Sequence, residues 1–185
     1  MRKEIVFATE WFSIEAQHRK DGVRALKGKP FYKVLLPDGV VILPVTPDNR
    51  FVLIRQYRPS LDQRTFEFPA GAVGRAEKAV DAAVRELYEE TGYRCEEMKL
   101  VGRGVLRIDR EDSQNSFFLA RNARRDPAFE PKEDIETLLL SPQEFRQLVA
   151  EDRFHHIAAL PILVMAQWKF GTNFFPTPLR GGDPS

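Results

Sequence analysis

The sequence predicts an α+β sandwich preceded by an antiparallel β piece, and three observations carry this. Strand-like and helix-like runs intermix without the regular βαβ alternation of a doubly wound sheet. Of the 185 residues, 43% are hydrophobic, which suits one sizeable core rather than two full domains. The opening third holds short β-branched and aromatic runs cut by turn formers, ahead of the first helical pattern.

Taken in order, "EIVFATEWFSIEAQHR" and "FYKVLLP" read as strands, with turns at Asp21-Gly22 and Gly28 between them. Asp38-Gly39 turns the chain into "VVILPVT", and "PDNR" turns it into "FVLIRQYRP", which predicts a hairpin of buried strands. A helix follows within "GAVGRAEKAVDAAVRELYEETGY", then strands at "MKLVGRGVL", "NSFFLARNA" and "IETLLLS". Ser141 and Glu144 form a capping-box signature for the next helix, and a last helix is expected from about Ile157 to Phe170. The tail "TNFFPTPLRGGDPS", rich in Pro and Gly, reads as irregular.

Lys and Arg number 28 against 27 Asp and Glu, so the summed charge gives no reason for a nucleic-acid or membrane partner and favours a small-molecule one. A single cysteine, Cys95, excludes an intramolecular disulfide, cannot by itself make a thiolate metal site, and suits a reducing, cytoplasmic setting. Glu4 and Glu10 interrupt the opening apolar run, and nowhere do about 18 apolar residues follow one another, so neither a signal peptide nor a membrane span is expected.

The helix after Gly71 crowds carboxylates together. With Glu86 at zero and about 100° per residue, Glu90 falls at about 40° and Glu89 at about 300°, so three carboxylates share one face. Val80, Ala83, Val84 and Leu87 form the adjoining stripe, expected to anchor the helix, and Ala79 and Ala82 lie along the acidic face. Gly92 suits the left-handed position that ends a helix. Like charges at this spacing weaken a helix by roughly 0.2–0.5 kcal/mol per pair, and clustered oxygen ligands are what Mg²⁺ or Mn²⁺ uses. A solvated acidic face is the competing reading.

The spacing decides between them. Gly71, five residues, Glu77, seven residues, then Arg85-Glu86-Leu87-Tyr88-Glu89-Glu90-Thr91-Gly92-Tyr93 resembles the Nudix box at every fixed position, with Tyr93 in a slot that is usually aliphatic. At background residue frequencies such a match arises by chance about once in 10⁸ start positions. The resemblance implies a Nudix α/β/α sandwich on a mixed sheet and hydrolysis of a nucleoside diphosphate linked to another moiety, with Mg²⁺ or Mn²⁺ as cofactor. By position in the box it implies Glu86 and Glu90 as direct metal ligands, with Glu89 and Glu77 contributing directly or through water. The Ala70 carbonyl is a further ligand candidate, and Arg85 is the residue expected to hold Glu89 in place.

The approach to the box, "LIRQYRPSLDQRTFEFPAG", resembles the ADP-ribose pyrophosphatase branch of that family. Arg55, Arg58 and Arg64 can offer forked donors to phosphate oxygens, and Glu67 a hydrogen bond to a ribose or an arginine. Trp11 and Phe12 are candidates to stack on adenine, as aromatics of the N-terminal sheet do across the dimer in similar enzymes, and core packing is the competing reading. Adjacent His155 and His156 point about 100° apart on a helix, which favours surface or capping roles over a metal site. The segment "LRIDREDSQNSFFLA" departs from the branch, lacking its Pro-Gly, so Asp109 to Asp112 either line a differently shaped sugar pocket or form an exposed turn.

In similar enzymes with a base outside the box, it is a Glu in the loop before the last core strand. Here "FEPKEDIETL" puts Pro131 at that place and offers Glu130 and Glu133; proline restricts Glu130 to an extended conformation, so Glu133 is the expected base and Glu89 the next candidate. The resemblance implies an arm for dimerisation at 1–36, a hydrolase domain at 37–172 and a tail at 173–185. The expected reaction is ADP-ribose to AMP and ribose 5-phosphate by a homodimer. The alternatives are hydrolysis of GDP-mannose or a UDP-sugar, and a catalytically silent sensor, which would normally have lost box carboxylates.

Overall fold

The computed structural model describes residues 1–18, 29–131 and 134–175. The expected turns at Asp21-Gly22 and Gly28, the candidate base Glu133 and the end of the tail lie outside these residues. Strands β1 (Arg2–Ala8), β2 (Ser13–His18) and β3 (Phe31–Leu35) form an antiparallel three-stranded sheet, the expected N-terminal piece. The second sheet is mixed and seven-stranded: β4 (Gly39–Val45), β5 (Phe51–Arg58), β6 (Gln63–Glu67), β7 (Ala70–Ala72), and, beyond helix α1 (Ala79–Thr91), the three longer later strands, the two short ones pairing with each other apart from it. After α1 come the short β8 (Tyr93–Arg94), β9 (Glu97–Gly104), β10 (Asn115–Arg121), the short β11 (Arg124–Arg125), β12 (Ile135–Leu140), and helices α2 (Pro142–Ala150) and α3 (Pro161–Phe170).

The order along the sheet is β12-β5-β4-β10-β9, with β10 parallel to β4. The expected β4–β5 hairpin forms, turned by Thr46 to Arg50 with Asn49 at φ 59°, yet the two strands pair only at Val45 and Phe51. Below that point they diverge, and "RTFEFPAG" fills the opening: β6 pairs with β5 and β7 with β4. Pro69 lacks an N–H and breaks this segment into two strands, while its carbonyl accepts from Ile42 N at 2.9 Å.

Alternation along β4 and β5 sends residues to two cores. Val41, Leu43, Phe51 and Leu53 pack with Phe145 of α2, Ile162 and Ala166 of α3 and Phe174. Val40, Ile42 and Val52 pack against Ala82, Ala83 and Leu87 of α1. The stripe expected to anchor α1 is thus partly corrected: Ala83 and Leu87 are buried as expected, but Val80 and Val84 are exposed, and Ala82 from the acidic face is buried in their stead. Alanine has little side chain to hold the helix off the sheet, so α1 lies close over β4 and β7 and the valines turn outward. Gly92 stands at φ 71° with its N–H on Tyr88 O, as expected for the helix end. The capping box of α2 is formed in both directions, Glu144 N to Ser141 Oγ at 3.2 Å and Ser141 N to Glu144 Oε2 at 2.6 Å. The last helix divides at Leu160-Pro161 into a short 3₁₀ turn, Ile157–Ala159, and α3.

Candidate active site

Helix α1 and strand β7 meet at the box. Glu90 is half-buried, and its Oε2 accepts from Ala70 N at 3.0 Å. Burial, with the nearby Glu86 and Glu67 carboxylates, pushes its pKa up to about 7, against the Ala70 N–H and Arg58. Glu86 lies over Gly71 so closely that a Cβ there would stand 2.0 Å from its carboxyl carbon. Glycine at 71 is therefore a steric requirement of the carboxylate's position.

Arg85 organises the rest. Its Nε and Nη2 donate to the two oxygens of Glu77 at 3.0 Å each, its Nη1 to Glu86 Oε1 at 2.7 Å, and its Nη2 also to Ala72 O at 3.0 Å. Glu89 lies 3.6 Å away, so the expected Arg85–Glu89 contact is present but is the longest of these. The Arg85 bonds, with Gly74 N–H, hold Glu77 below the usual carboxylate range.

Among the described residues, no three His, Cys, Asp or Glu side chains form a ready-made metal cluster. The carboxylates converge as a pair, Glu86 with Glu90, and repulsion from Glu86 adds to the burial that raises Glu90. A divalent cation would relieve it, and an all-oxygen donor set with positions left for water fits Mg²⁺ or Mn²⁺.

Register separates the three arginines. Arg58 sits on the same sheet face as Gln56, Thr65 and Glu67 and is close enough to Glu90 to lower its pKa. Its Nε and Nη2 bind Glu67 Oε1 and Oε2 at 2.7 and 2.6 Å, while Thr65 Oγ1 donates to Glu67 Oε1 at 2.5 Å. Burial alone would raise Glu67, but the Arg58 and Thr65 hydrogen bonds hold it below its ordinary value. Arg55 points to the opposite face, paired with Glu136 at 2.6 Å across β12 and lying over the Phe66 ring. Arg64, opposite Tyr57 in register, shares that other face and is exposed. Alternation with period two thus brings only Arg58 and Glu67 to the box carboxylates.

Trp11, between β1 and β2, is exposed, and Phe12 packs on Phe7 with ring centres 5.8 Å apart. Asp109, Arg110 and Asp112 are exposed while the Glu111 side chain is largely covered beside Arg107, and the segment is tied to the N-terminal sheet: Arg110 O accepts from Val34 N, Arg110 lies over Phe31, and Asp112 pairs with Lys33. Glu130 is exposed, next to Phe129, whose ring packs on Tyr88 and fills the space beside Gly92.

Two residues at the site were not singled out from the sequence. Thr65 and Gln56 could have been found by counting two from Glu67 and from Arg58. His156, expected in a surface or capping role, is instead half-buried beside Glu67 and makes no side-chain cap bond; it reaches Glu67 through the pairing of Phe154 with Phe66 at the edge of β6, which the sequence does not reveal.

A family match described as NUDIX domain covers residues 35–162. The chain is 41% identical over 63 residues to the methanol dehydrogenase activator of Bacillus methanolicus, 34% of either chain. It is 36% identical over 62 residues to an ADP-ribose pyrophosphatase of Bacillus subtilis (strain 168), again 34% of each, and 40% identical over 63 residues to an ADP-sugar pyrophosphatase of Mus musculus, 32% of this chain and 29% of that one. These matches thus span about a third of the relatives' own lengths. The solved structure of an ADP compounds hydrolase superposes with a TM-score of 0.73 over 95% of both chains at 18% identity, a likeness of fold. With the family match covering most of the chain and every fixed position of the box occupied, this protein belongs to the Nudix family.

Proposed function

We propose that the chain is a metal-dependent pyrophosphohydrolase of nucleoside diphosphate sugars, acting on ADP-ribose to give AMP and ribose 5-phosphate. The observation that carries this reading is the meeting, on one sheet face, of the Glu86–Glu90 pair with an Arg58 fork held by Glu67. Membership in the Nudix family and the pyrophosphatase relatives support hydrolysis; the carboxylate pair supports Mg²⁺ or Mn²⁺.

Glu86 and Glu90, with the Ala70 carbonyl and Glu89, would hold the cation. When bound, it supplies charge neutralisation and polarisation of the diphosphate. Arg58, already fixed by two bonds to Glu67, binds phosphate oxygens with its remaining N–H groups at little further cost in side-chain entropy. Arg85 keeps Glu86 and Glu77 in place, and Glu133 takes the proton from the attacking water, with Glu89 as the alternative base.

The N-terminal sheet leaves Ile5, Phe7 and Trp11 exposed, which supports residues 1–36 as a dimerisation arm, with Trp11 near the base of the substrate. Among the described residues no helix is long and apolar enough to cross a membrane, and we keep a cytoplasmic location as part of the proposal. Light scattering should give twice 21.3 kDa; a single species of that mass would contradict the dimer.

A substrate panel with Mg²⁺ or Mn²⁺, read by chromatography of the products, tests the activity. AMP and ribose 5-phosphate from ADP-ribose are expected. Equal or faster turnover of GDP-mannose or UDP-glucose would contradict the substrate assignment.

A further inference from the structure

Beside the Arg58–Glu67 pair lies a cavity of about 220 Å³ that the box does not account for. Arg58, Thr65 and Glu67 wall it from the β5–β6 hairpin, Ser60 from the hairpin loop, and His155 and His156 from the segment running along the edge of β6. His155 is turned to Gln63, its Nε2 3.2 Å from the amide nitrogen. His156 stacks on Phe154, and its Nδ1 is the one buried side-chain nitrogen or oxygen found without a hydrogen-bond partner among the described residues.

An orphaned buried polar atom is costly and rare in a native fold, and here it borders a cavity whose other polar walls are already organised. The charged neighbours decide what can fill it. The Glu67 carboxylate beside the ring disfavours an anion at that place. Burial, with Arg58, disfavours a protonated ring, against the pull of Glu67 and of the Phe68 carbonyl. A neutral imidazole presents at Nδ1 either a lone pair or an N–H, according to tautomer. A hydroxyl group, which both donates and accepts, satisfies Nδ1 in either case. Glu67 can accept from a second hydroxyl, and the Nη1 end of Arg58, with no hydrogen bond among the described residues, can donate to an oxygen between them.

We propose that this cavity is the subsite for the hydroxyl-bearing sugar end of the substrate, with His156 as its specificity-determining residue. The assignment deepens the proposed pyrophosphohydrolase function and rests on it. A diphosphate held at Glu86, Glu90 and Arg58 would have its sugar end beside Glu67, where the cavity begins.

The experiment compares two substrates that share ADP and differ only at the far end: ADP-ribose and a simple alkyl ester of ADP without hydroxyls. In the wild-type chain ADP-ribose should be the better substrate by kcat/KM. His156→Phe, which fills the cavity, should lower kcat/KM for ADP-ribose by roughly tenfold or more through KM and leave the alkyl ester within about twofold. His156→Asn, which keeps a polar group, should recover part of the loss. Equal losses on both substrates would mean that His156 only supports the fold, and no loss on either would remove it from the site; both overturn the proposal. A second measurement does not depend on turnover: the His156 ring ¹⁵N signals should shift saturably on titration with ribose 5-phosphate and stay put with AMP. If neither ester is hydrolysed with Mg²⁺ or Mn²⁺, the proposed function fails on its own, and absence of the ribose 5-phosphate shift would then overturn the subsite separately.

Discussion

The carboxylate of Glu86 occupies the space that a side chain at Gly71 would need, its carboxyl carbon 2.0 Å from where a Cβ would stand. No rotation of a methyl group relieves such an overlap, so either the β7 backbone or Glu86 must move. Gly71→Ala should therefore leave the fold intact and displace a metal-ligand candidate by about an ångström, which is enough to lower activity by roughly 10²-fold. Metal titration of the variant should show weaker binding. Wild-type affinity and rate would mean that Glu86 is not a ligand.

Glu90 makes metal binding sensitive to pH. Its pKa is pushed up to about 7 from 4.5, chiefly by burial, so its protonated form is favoured in the metal-free fold. A raised pKa contributes stability that is complete below about 4.5 and is lost as pH rises through about 7, on the order of 3 kcal/mol. Without metal, the contribution of this group should thus fall between those limits, and Mg²⁺ should raise Tm most above pH 7. Binding must displace the proton, so metal affinity should drop by up to about tenfold per unit below pH 7. Calorimetry in two buffers of different ionisation enthalpy would show the released proton. A Glu90→Gln variant with the same pH dependence would show that another group is responsible.

Arg58 and Arg55 separate by sheet face, and their substitutions should separate by effect. Arg58→Ala should raise KM by roughly tenfold or more and lower Tm, since it leaves Glu67 a buried carboxylate without its fork. Arg55→Ala removes a half-exposed pair with Glu136 and should change KM far less. Steady-state kinetics of both variants check this, and the reverse order would place the substrate on the other face.

If Glu133 is the general base, Glu133→Gln should lower kcat by roughly 10² to 10⁴ and remove the acidic limb of the pH–rate profile, with metal affinity little altered. Unchanged kcat and pH dependence would pass the role to Glu89.

The box was legible because its chemistry is local: Glu86, Glu89 and Glu90 share a helix face by periodicity alone, and Gly71 and Gly92 sit where close approach and a left-handed φ demand glycine. The division of the arginines was within reach of the same arithmetic, since Arg55 and Arg58 differ by an odd number of residues on one strand and must point to opposite faces. The splitting of "RTFEFPAG" into β6 and β7 was not, because it depends on β4 and β5 diverging after a single pair. Nor was the outward turn of Val80 and Val84, which follows from how closely alanines let α1 approach the sheet. The place of His156 was the least legible, its expected role being at the surface or a cap. Its neighbour Glu67 is distant in sequence, and only packing joins them.

The central claim is that the Glu86–Glu90 pair holds the cation that hydrolysis requires, and the most direct measurement is kcat on ADP-ribose for Glu86→Gln and Glu90→Gln, with Mn²⁺ binding followed by electron paramagnetic resonance on the same samples. An amide keeps the shape and loses the charge, so both variants should fold, bind Mn²⁺ weakly and turn over about 10²- to 10⁴-fold more slowly than the wild type. Near-normal turnover with undiminished Mn²⁺ binding in either variant would contradict the assignment.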